Sequence, residues 1–394
     1  MEVHGDFRRM YGIISNFHGV ELPMSRRSSY NSFCISSFLT FRYVVEPHIA
    51  WKDGVVPTWP NDESFCSIGV RDSDEVLEAL SDIVDNICSD KEVGILLSGG
   101  IDSGILAALM PEGSYAYTIR FEAENAVDEV AGARAYAEKR GLNHQIVSVS
   151  WHDYEIYADH LMLRKKSPLH PVEVALFKAA LQAKSDGLDL LIAGTGADST
   201  FGGLDKLLSR DWTLDEFIDR YTFVKPELAV REPMSMRAIY SRYENQGKMD
   251  VPRFLAFVHG PGLAQAFQNG IVSAGCDWIA PYEMLRLNCP LNIDRIRAGE
   301  SKYLLREVFC KVHPELEIPP KIAFARPMDT WMKYWAGPKR PEFLSDLDVS
   351  AFTGEQKWLI YCLERFMNLF DVVSPDEPAT NSNEFVASRV VCNN

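Results

Sequence analysis

Two short segments of the sequence combine glycines, hydroxyls and one carboxylate in a way that suits phosphate chemistry. The first, residues 98–103, is Ser-Gly-Gly-Ile-Asp-Ser and follows the apolar run Val93–Leu97. Its glycines let the backbone approach an anion closely, and the helical residues that follow offer an electropositive N-terminus. The loop lacks the Gly-Lys-Ser/Thr ending of a Walker P-loop and carries Asp102 instead. A carboxylate beside a polyphosphate implies a Mg²⁺ ion between them.

The second segment also combines glycines, hydroxyls and one aspartate after an apolar run. Residues 194–203, Gly-Thr-Gly-Ala-Asp-Ser-Thr-Phe-Gly-Gly, follow the apolar run Leu188–Ala193. Two such turns at strand ends can place Asp102 and Asp198 around one Mg²⁺. Taken singly, each has a plainer interpretation, a strand-to-helix turn or a helix N-cap. Together they favour one phosphate site.

Alternating strand and helix patterns position these turns. Strand-like runs at 93–97, 115–121, 145–149 and 188–193 alternate with helical periodicity at 128–140 and 171–185. The alternation predicts an α/β fold in which helices flank a parallel sheet, with ligands bound at the carboxyl ends of the strands. The C-terminal part is predicted to be helical, over residues 213–221, 234–243, 251–257, 301–310 and 356–370.

The chain divides into three predicted regions. Residues 1–70 are expected to form an N-terminal extended arm, in which Phe38–Val45 is a β-rich run. Residues 71–372 are expected to form the nucleotide-binding domain. Residues 373–394 are polar and mixed and are predicted to be a flexible tail, with a closing strand over Phe385–Val391 as the alternative.

Composition limits the classes of function. The chain has 394 residues, of which 46% are hydrophobic, and a net charge of −15, which argues against nucleic-acid binding. No apolar run is long enough to span a membrane and no signal peptide is recognisable, so we expect a cytoplasmic protein. The eight cysteines contain no Cys-x-x-Cys pair, which favours reduced thiols, with a sulfur relay as the alternative.

The two turns and three other segments, in order along the chain, resemble a known family. The first turn resembles the PP-loop of the ATP pyrophosphatase superfamily, whose adenine nucleotide α-hydrolase-like members cleave ATP between the α and β phosphates. The second is similar to the G-x-G-A-D-E-x-F-G-G segment in the synthetase domain of asparagine synthetases, which β-lactam synthetases and lasso-peptide cyclases share in related form. The other landmarks are Thr118–Phe121 with Asp128 and Glu129, Gly299–Arg306 (G-x-x-K-x-x-L-R), and Pro319–Pro327 (K-x-x-F-x-x-P).

This resemblance implies a role for individual residues. Lys321 would stabilise the charge that develops at the α phosphate, an electrostatic role, with a solvated loop lysine as the alternative. Asp102 and Asp198 would hold Mg²⁺. The remaining implied contacts to ATP are the pyrophosphate ligands Ser98, Gly99, Gly100 and Ser103, and the backbone at Leu97, Ile119 and Gly194, which would face the adenosine.

The sequence departs from the family on the side of the nucleophile. Thr195 stands between the two glycines, where the family places Glu, Asp or Tyr, and a threonine hydroxyl can orient a group or relay a proton but cannot act as a base. Glu227, Glu232 and Glu283 are candidates for the missing base. His170 lies where the family tends to carry acidic residues, and is expected to be a turn histidine, with substrate contact as the alternative.

The resemblance implies an ATP-dependent, AMP-forming carbon–nitrogen ligase that adenylates a small-molecule carboxylate, releases pyrophosphate and transfers ammonia or an amine. Glutamine-using relatives begin with a glutaminase domain whose first residue is cysteine, whereas this sequence begins Met1-Glu2. We therefore expect free ammonia, an amine or a separate glutaminase as the nitrogen source, and the family suggests a homodimer. The alternatives are a PP-loop enzyme that delivers sulfur or modifies tRNA or a sugar, and a catalytically weakened ATP-binding subunit.

Overall fold

A five-stranded parallel sheet forms the centre of the computed structural model, which describes residues 30–59, 67–321 and 326–372. The strands are β1 (Ile68–Val70), β2 (Val93–Leu96), β3 (Tyr115–Phe121), β4 (Asn143–Val149), β5 (Leu190–Ile192), β6 (Glu244–Asn245), β7 (Lys248–Met249), β8 (Asp277–Ile279) and β9 (Leu285–Leu287). The first helices are α1 (Ser32–Phe41), α2 (Ser73–Asp90), α3 (Ile101–Leu109), α4 (Val130–Arg140), α5 (Trp151–Lys165), α6 (Glu173–Ser185), α7 (Ala197–Thr200) and α8 (Asp205–Leu208). The later helices are α9 (Leu214–Tyr221), α10 (Arg237–Ser241), α11 (Val251–Phe254), α12 (Gly260–Val272), α13 (Ile293–Arg297), α14 (Tyr303–Val312), α15 (Met328–Trp331) and α16 (Gly354–Val372).

Helices cover both faces of this sheet, as predicted. One layer consists of α2, α3, α4 and α14, and the other of α5, α6 and α12. The central strands are apolar on both sides because both faces are buried. The four predicted strands correspond to β2, β3, β4 and β5. The fifth strand, β8, gives no recognisable pattern because its three residues, Asp-Trp-Ile, are not part of a longer apolar run.

The strand order β4-β3-β2-β5-β8 determines where a ligand can bind. The chain runs outward from β2 to β4 and then returns to the other side of β2 with β5. In parallel sheets, a ligand-binding crevice forms at such a switch point, outside the carboxyl ends of the strands. Val93 pairs with Leu190 and Ile95 with Ile192, so β2 and β5 end side by side and their following turns are neighbours.

The predicted strand at Phe38–Val45 is wrong. Residues up to Phe41 belong to α1, which begins at the N-cap Asn31 and ends at Arg42, a left-handed C-cap. All residues of α1 except Ser32 are buried, so the helix shows no polar face and its sequence resembles a strand. The described residues 30–59 therefore pack into the core, and the prediction of an extended arm is wrong for them.

The helical character of the C-terminal part is confirmed. Between α11 and α12 the chain forms a π-helical turn, Leu255–His259, and a 3₁₀ turn, Pro281–Met284, follows β8. Within the described ranges, no helix is both long and apolar enough to cross a membrane. The predicted tail, 373–394, and the alternative strand Phe385–Val391 lie outside the described residues.

Candidate active site

The loop after β2 forms a cradle lined with backbone N–H groups. Oγ of Ser103 accepts a hydrogen bond from the Ser98 backbone N–H (3.0 Å) and lies 2.9 Å from Oγ of Ser98. Gly100 is the N-cap of α3, so the first-turn amides of residues 101–103 have no carbonyl partner inside the helix. Free amides at a helix N-terminus attract phosphate, which is the role predicted for residues 98–103.

The predicted adenosine contacts lie at the same edge of the sheet. The Leu97 backbone N–H donates to the carbonyl of Tyr117 (2.8 Å), and its carbonyl accepts from the Thr118 hydroxyl (2.8 Å). Ile119 is near the end of β3, and Gly194 follows β5. The Leu97 amide is thus already used in the sheet, and its carbonyl retains one acceptor position for a ligand.

Asp102 and Asp198 come together around a lysine. Nζ of Lys302 lies 2.5 Å from Oδ2 of Asp102 and 2.7 Å from Oδ1 of Asp198. The Lys302 side chain is only 7% exposed, and the two carboxylates raise its pKa above the ordinary value despite its burial. Sequence reasoning recognised Lys302 only as part of a motif, without a role. Its place in the G-x-x-K spacing before α14 is the signal that the sequence offers.

Lys321 reaches the same aspartate from the loop after α14. Its Nζ lies 2.7 Å from Oδ1 of Asp198 and donates to the carbonyl of Gly203. Burial favours the protonated form of Asp198, but Lys302 and Lys321 outweigh it and hold the pKa of this carboxyl below its usual range. Gly203 is required at this point, because a Cβ there would overlap Oδ1 of Asp198.

Glu283 lies beside Thr195. Gly196, with a φ of 90°, brings its backbone so close to Glu283 that a Cβ would lie 2.5 Å from the Glu283 Cγ. The surrounding protein raises the pKa of Glu283 to about 7 by desolvation, while the Thr195 hydroxyl partly opposes this. Glu283 nevertheless keeps an accessible surface. Thr195 Oγ1 is close to Glu283 but has no partner in hydrogen-bonding geometry among the described residues.

A group of polar side chains with hydrogen-bond donors lies near Asp198, and we call this group the donor wall: Arg42, His170 and His259. The Arg42 guanidinium carbon lies 3.8 Å from the centre of the Phe223 ring, and its Nε has no partner among the described residues. Nδ1 of His259 is 2.9 Å from the Tyr221 hydroxyl. Burial and the Arg42 charge lower the pKa of His259 to about 4, so this ring is neutral at pH 7.

His170 is buried in this wall and is not a simple turn residue. Its Nδ1 accepts from the Val172 backbone N–H (3.2 Å), which puts the proton of the neutral ring on Nε2. That Nε2 is buried and finds no partner within the described ranges. Burial and the nearby Arg42 charge lower the His170 pKa well below its usual value. An unsatisfied buried N–H calls for a ligand or water.

Helix α16 and the turn after β5 bring the donor wall to the nucleotide site. Gln356 of α16 donates to the Phe223 carbonyl beneath Arg42 (2.6 Å), and Trp358 donates to the Leu169 carbonyl (3.3 Å), next to His170. Helix α7, which carries Asp198, packs against the π-helical turn that ends at His259. The site thus unites segments from the whole described chain.

Other candidates from the sequence lie elsewhere. Glu227 and Glu232 are exposed, in and just after the 3₁₀ turn Pro226–Leu228. The cysteines in the described ranges are free thiols, and burial raises the pKa of Cys276 and of Cys362, the latter to about 12. Such thiols are poor nucleophiles, which disfavours a sulfur relay through either one.

The fold and this site together indicate the structural class of the domain. A parallel sheet flanked by helices, with a Ser-Gly-Gly-x-Asp-Ser loop at its switch point, is the arrangement of PP-loop domains. Residues 75–265 match the family model described as asparagine synthase.

Comparison with individual proteins gives short or distant matches. A 135-residue stretch is 33% identical to proteins named "Putative asparagine synthetase" (glutamine-hydrolyzing) of Mycobacterium bovis and Mycobacterium tuberculosis; it covers 33% of this chain and 20% of each relative. Among solved structures, the NH3-dependent NAD synthetase of Campylobacter jejuni is 18% identical over 34% of this chain and 61% of its own, with a TM-score of 0.25. The NMN synthetase of Francisella tularensis is 13% identical over 64% and 97%, with a TM-score of 0.24. Likeness at these TM-scores carries no functional information.

Proposed function

We propose that this protein is an ATP-dependent, AMP-forming carbon–nitrogen ligase. The observation that carries the proposal is the meeting of Asp102 and Asp198 around Lys302, with Lys321 beside them, at the adjoining ends of β2 and β5. Two carboxylates and two ammonium groups next to an amide-lined loop provide both a metal ligand set and positive charge for a polyphosphate. The asparagine synthase-family match over residues 75–265 supports the same conclusion.

The two aspartates fit Mg²⁺. Their carboxylates already face one cation, the Lys302 ammonium, and Oδ1 of Asp102 is buried without a partner among the described residues. Mg²⁺ needs only one or two protein carboxylates because water and phosphate oxygens complete its shell. When bound, the ion would neutralise charge on the β and γ phosphates.

In the first step, an oxygen of the substrate carboxylate attacks the α phosphorus of ATP. A new P–O bond forms, the bond from the α phosphorus to the bridging oxygen breaks, and pyrophosphate leaves. Lys302 and Lys321 place positive charge where the phosphoryl oxygens gain negative charge in the transition state. Removing one such group from a preorganised site typically costs about 10²- to 10³-fold in rate.

In the second step, a nitrogen nucleophile attacks the acyl carbon, and the carbon–oxygen bond to AMP breaks. The nitrogen must lose a proton, and we assign its acceptance to the Glu283 carboxylate, because its pKa of about 7 suits a base at neutral pH. Thr195 orients the incoming amine or relays its proton to Glu283. Glu283 thereby supplies the base that a threonine at this position cannot.

The donor wall is the place we assign to the substrate. Arg42 contributes a positive charge, and neutral His170 and His259 contribute N–H donors, which together suit an anionic or strongly polar group. Arg326 adds no net charge here because it pairs with Glu355 (2.5 Å). The nitrogen donor is ammonia or an amine, delivered from solution or by a separate glutaminase, and a homodimer in the cytoplasm is part of the same proposal.

Carboxylate-dependent exchange of labelled pyrophosphate into ATP tests the proposal. The protein, Mg²⁺ and ATP are incubated with a panel of mono- and dicarboxylic acids, with and without ammonia or simple amines. We expect at least one acid to support exchange, and Asp198→Asn to abolish it. Asp189→Asn is the matched control, because Asp189, just before β5, is an exposed ion-pair partner of Lys184. Absence of exchange and of pyrophosphate release under all conditions would contradict the proposal.

A further inference from the structure

We call residues 98–103 the phosphate loop. Side chains from three separate elements bind carbonyl groups in this loop and at Gly104, just after it. Tyr136 of α4 donates to the Gly99 carbonyl (3.2 Å), and Tyr282 donates to the Asp102 carbonyl (2.8 Å). Nε2 of His313, at the end of α14, lies 2.9 Å from the Gly104 carbonyl. Anchored carbonyls leave the amides of the loop free for an anion and fix their direction in advance.

Tyr282 differs from the other two because of the residue that follows it. Tyr282 and Glu283 are consecutive in the 3₁₀ turn after β8, so the side chain of one contacts the phosphate loop while the other lies beside Thr195. The Tyr282 ring is fully buried and packs edge-on against Phe201, 6.1 Å between ring centres. A buried ring in a tight turn leaves little freedom to either residue.

We propose that Tyr282 is a positioning residue that couples the phosphate loop to the Glu283 turn, so that nucleotide binding fixes the place of the base. This inference rests on the proposed function, since it takes the phosphate loop to bind ATP and Glu283 to act on the nucleophile. A phosphate bound at the loop contacts the first turn of α3, to which the Asp102 carbonyl belongs. The Tyr282 hydroxyl transmits the effect of this contact to the Glu283 turn through one hydrogen bond.

Two properties of Tyr282→Phe test this coupling without knowledge of the carboxylate substrate. The first is the affinity for Mg²⁺ and α,β-methylene-ATP, measured by calorimetry. The second is amide hydrogen exchange in the peptide 279–287, with and without that nucleotide. We expect the affinity to fall roughly three- to tenfold, the usual effect of one hydrogen bond, and the nucleotide to protect the peptide in the wild type but no longer in this variant.

Two further tyrosine variants separate coupling from simple loss of structure. Tyr154→Phe is the matched control, because Tyr154 is as deeply buried and donates to a backbone carbonyl, that of Pro171 (2.7 Å), away from the loop. We expect it to lose stability to a similar degree but to keep the wild-type nucleotide affinity. Tyr136→Phe should lower the nucleotide affinity as Tyr282→Phe does. The nucleotide should still protect peptide 279–287 from exchange in Tyr136→Phe.

The inference is overturned if Tyr282→Phe binds the nucleotide like Tyr154→Phe, or if the nucleotide still protects peptide 279–287 in Tyr282→Phe. Failure of the wild-type protein to bind the nucleotide would overturn both the inference and the proposed function. Wild-type binding with unchanged behaviour of Tyr282→Phe would overturn the inference alone.

Discussion

The two halves of the candidate site are built differently. In the nucleotide half, short ion pairs join Asp102, Asp198, Lys302 and Lys321 near adjoining strand ends, although Oδ1 of Asp102 has no partner among the described residues. In the acceptor half, Nε of Arg42, Nε2 of His170 and Oγ1 of Thr195 find no partner among the described residues. Charges that must meet any ATP are pre-assembled and neutralised, whereas groups that must recognise a particular substrate are left unsatisfied until it binds.

Loss of Lys302, in the nucleotide half, should have the largest effect on activity. Lys302→Met leaves two carboxylates facing each other in a buried position, so we expect roughly 10²- to 10³-fold slower pyrophosphate exchange and a lower melting temperature. Lys311→Met is the control on the same helix, because Lys311 pairs with Asp74 at the surface. Equal effects of the two variants would mean that the nucleotide half does not depend on this ion-pair cluster.

Glu283→Gln tests the acceptor half through its pH dependence. The carboxylate is the basic form, and its fraction increases as the pH rises through about 7, so wild-type amide formation should rise from pH 6 and level off above pH 8. The variant should be about 10²-fold slower in amide formation and lack this rise, while pyrophosphate exchange continues. Glu232→Gln, an exposed candidate from the sequence, should behave as wild type. Loss of the pH rise in Glu232→Gln instead would contradict the assignment.

Arg42→Gln should weaken binding of the substrate carboxylate and leave binding of ATP unchanged. Removal of a charged donor should raise the KM for the carboxylate about tenfold, with the KM for ATP unchanged. Arg253→Gln, at an exposed arginine over Tyr243, serves as the control. A rise in the KM for ATP comparable to that for the carboxylate would show that Arg42 does not belong to the acceptor half.

The smallest effect is expected at Asn31, which caps the helix that ends at Arg42. Its side chain accepts from the Phe33 backbone N–H (2.9 Å), so Asn31→Ala should lower the free energy of unfolding by about 1 kcal/mol. Asn31→Asp retains an acceptor and should restore most of the loss. Chemical denaturation measures both. A loss of nucleotide affinity in Asn31→Ala would indicate that the two halves are less separate than their contacts suggest.

Asp102 and Asp198 can be proposed as site residues from the sequence alone, because both lie in contiguous motifs just after recognisable strands. Lys302 was visible in such a motif but received no role, since only the fold brings it between Asp102 and Asp198. The acceptor half depends on tertiary structure. Glu283 is one of three candidate bases in the sequence, and only the fold shows that it lies beside Thr195, in the turn that follows β8. Arg42 was missed because the fully buried helix α1 resembles a strand in its sequence.

The products formed from ATP test the central claim most directly. The protein is incubated with ATP labelled at the α phosphate, Mg²⁺, the carboxylate panel and ammonia, and the labelled nucleotide is separated and identified. We predict AMP, together with an equal amount of pyrophosphate, and neither product with Asp198→Asn. Formation of ADP and inorganic phosphate would contradict the account, because it would place bond cleavage at the γ phosphate and not beside Asp102, Asp198 and Lys321.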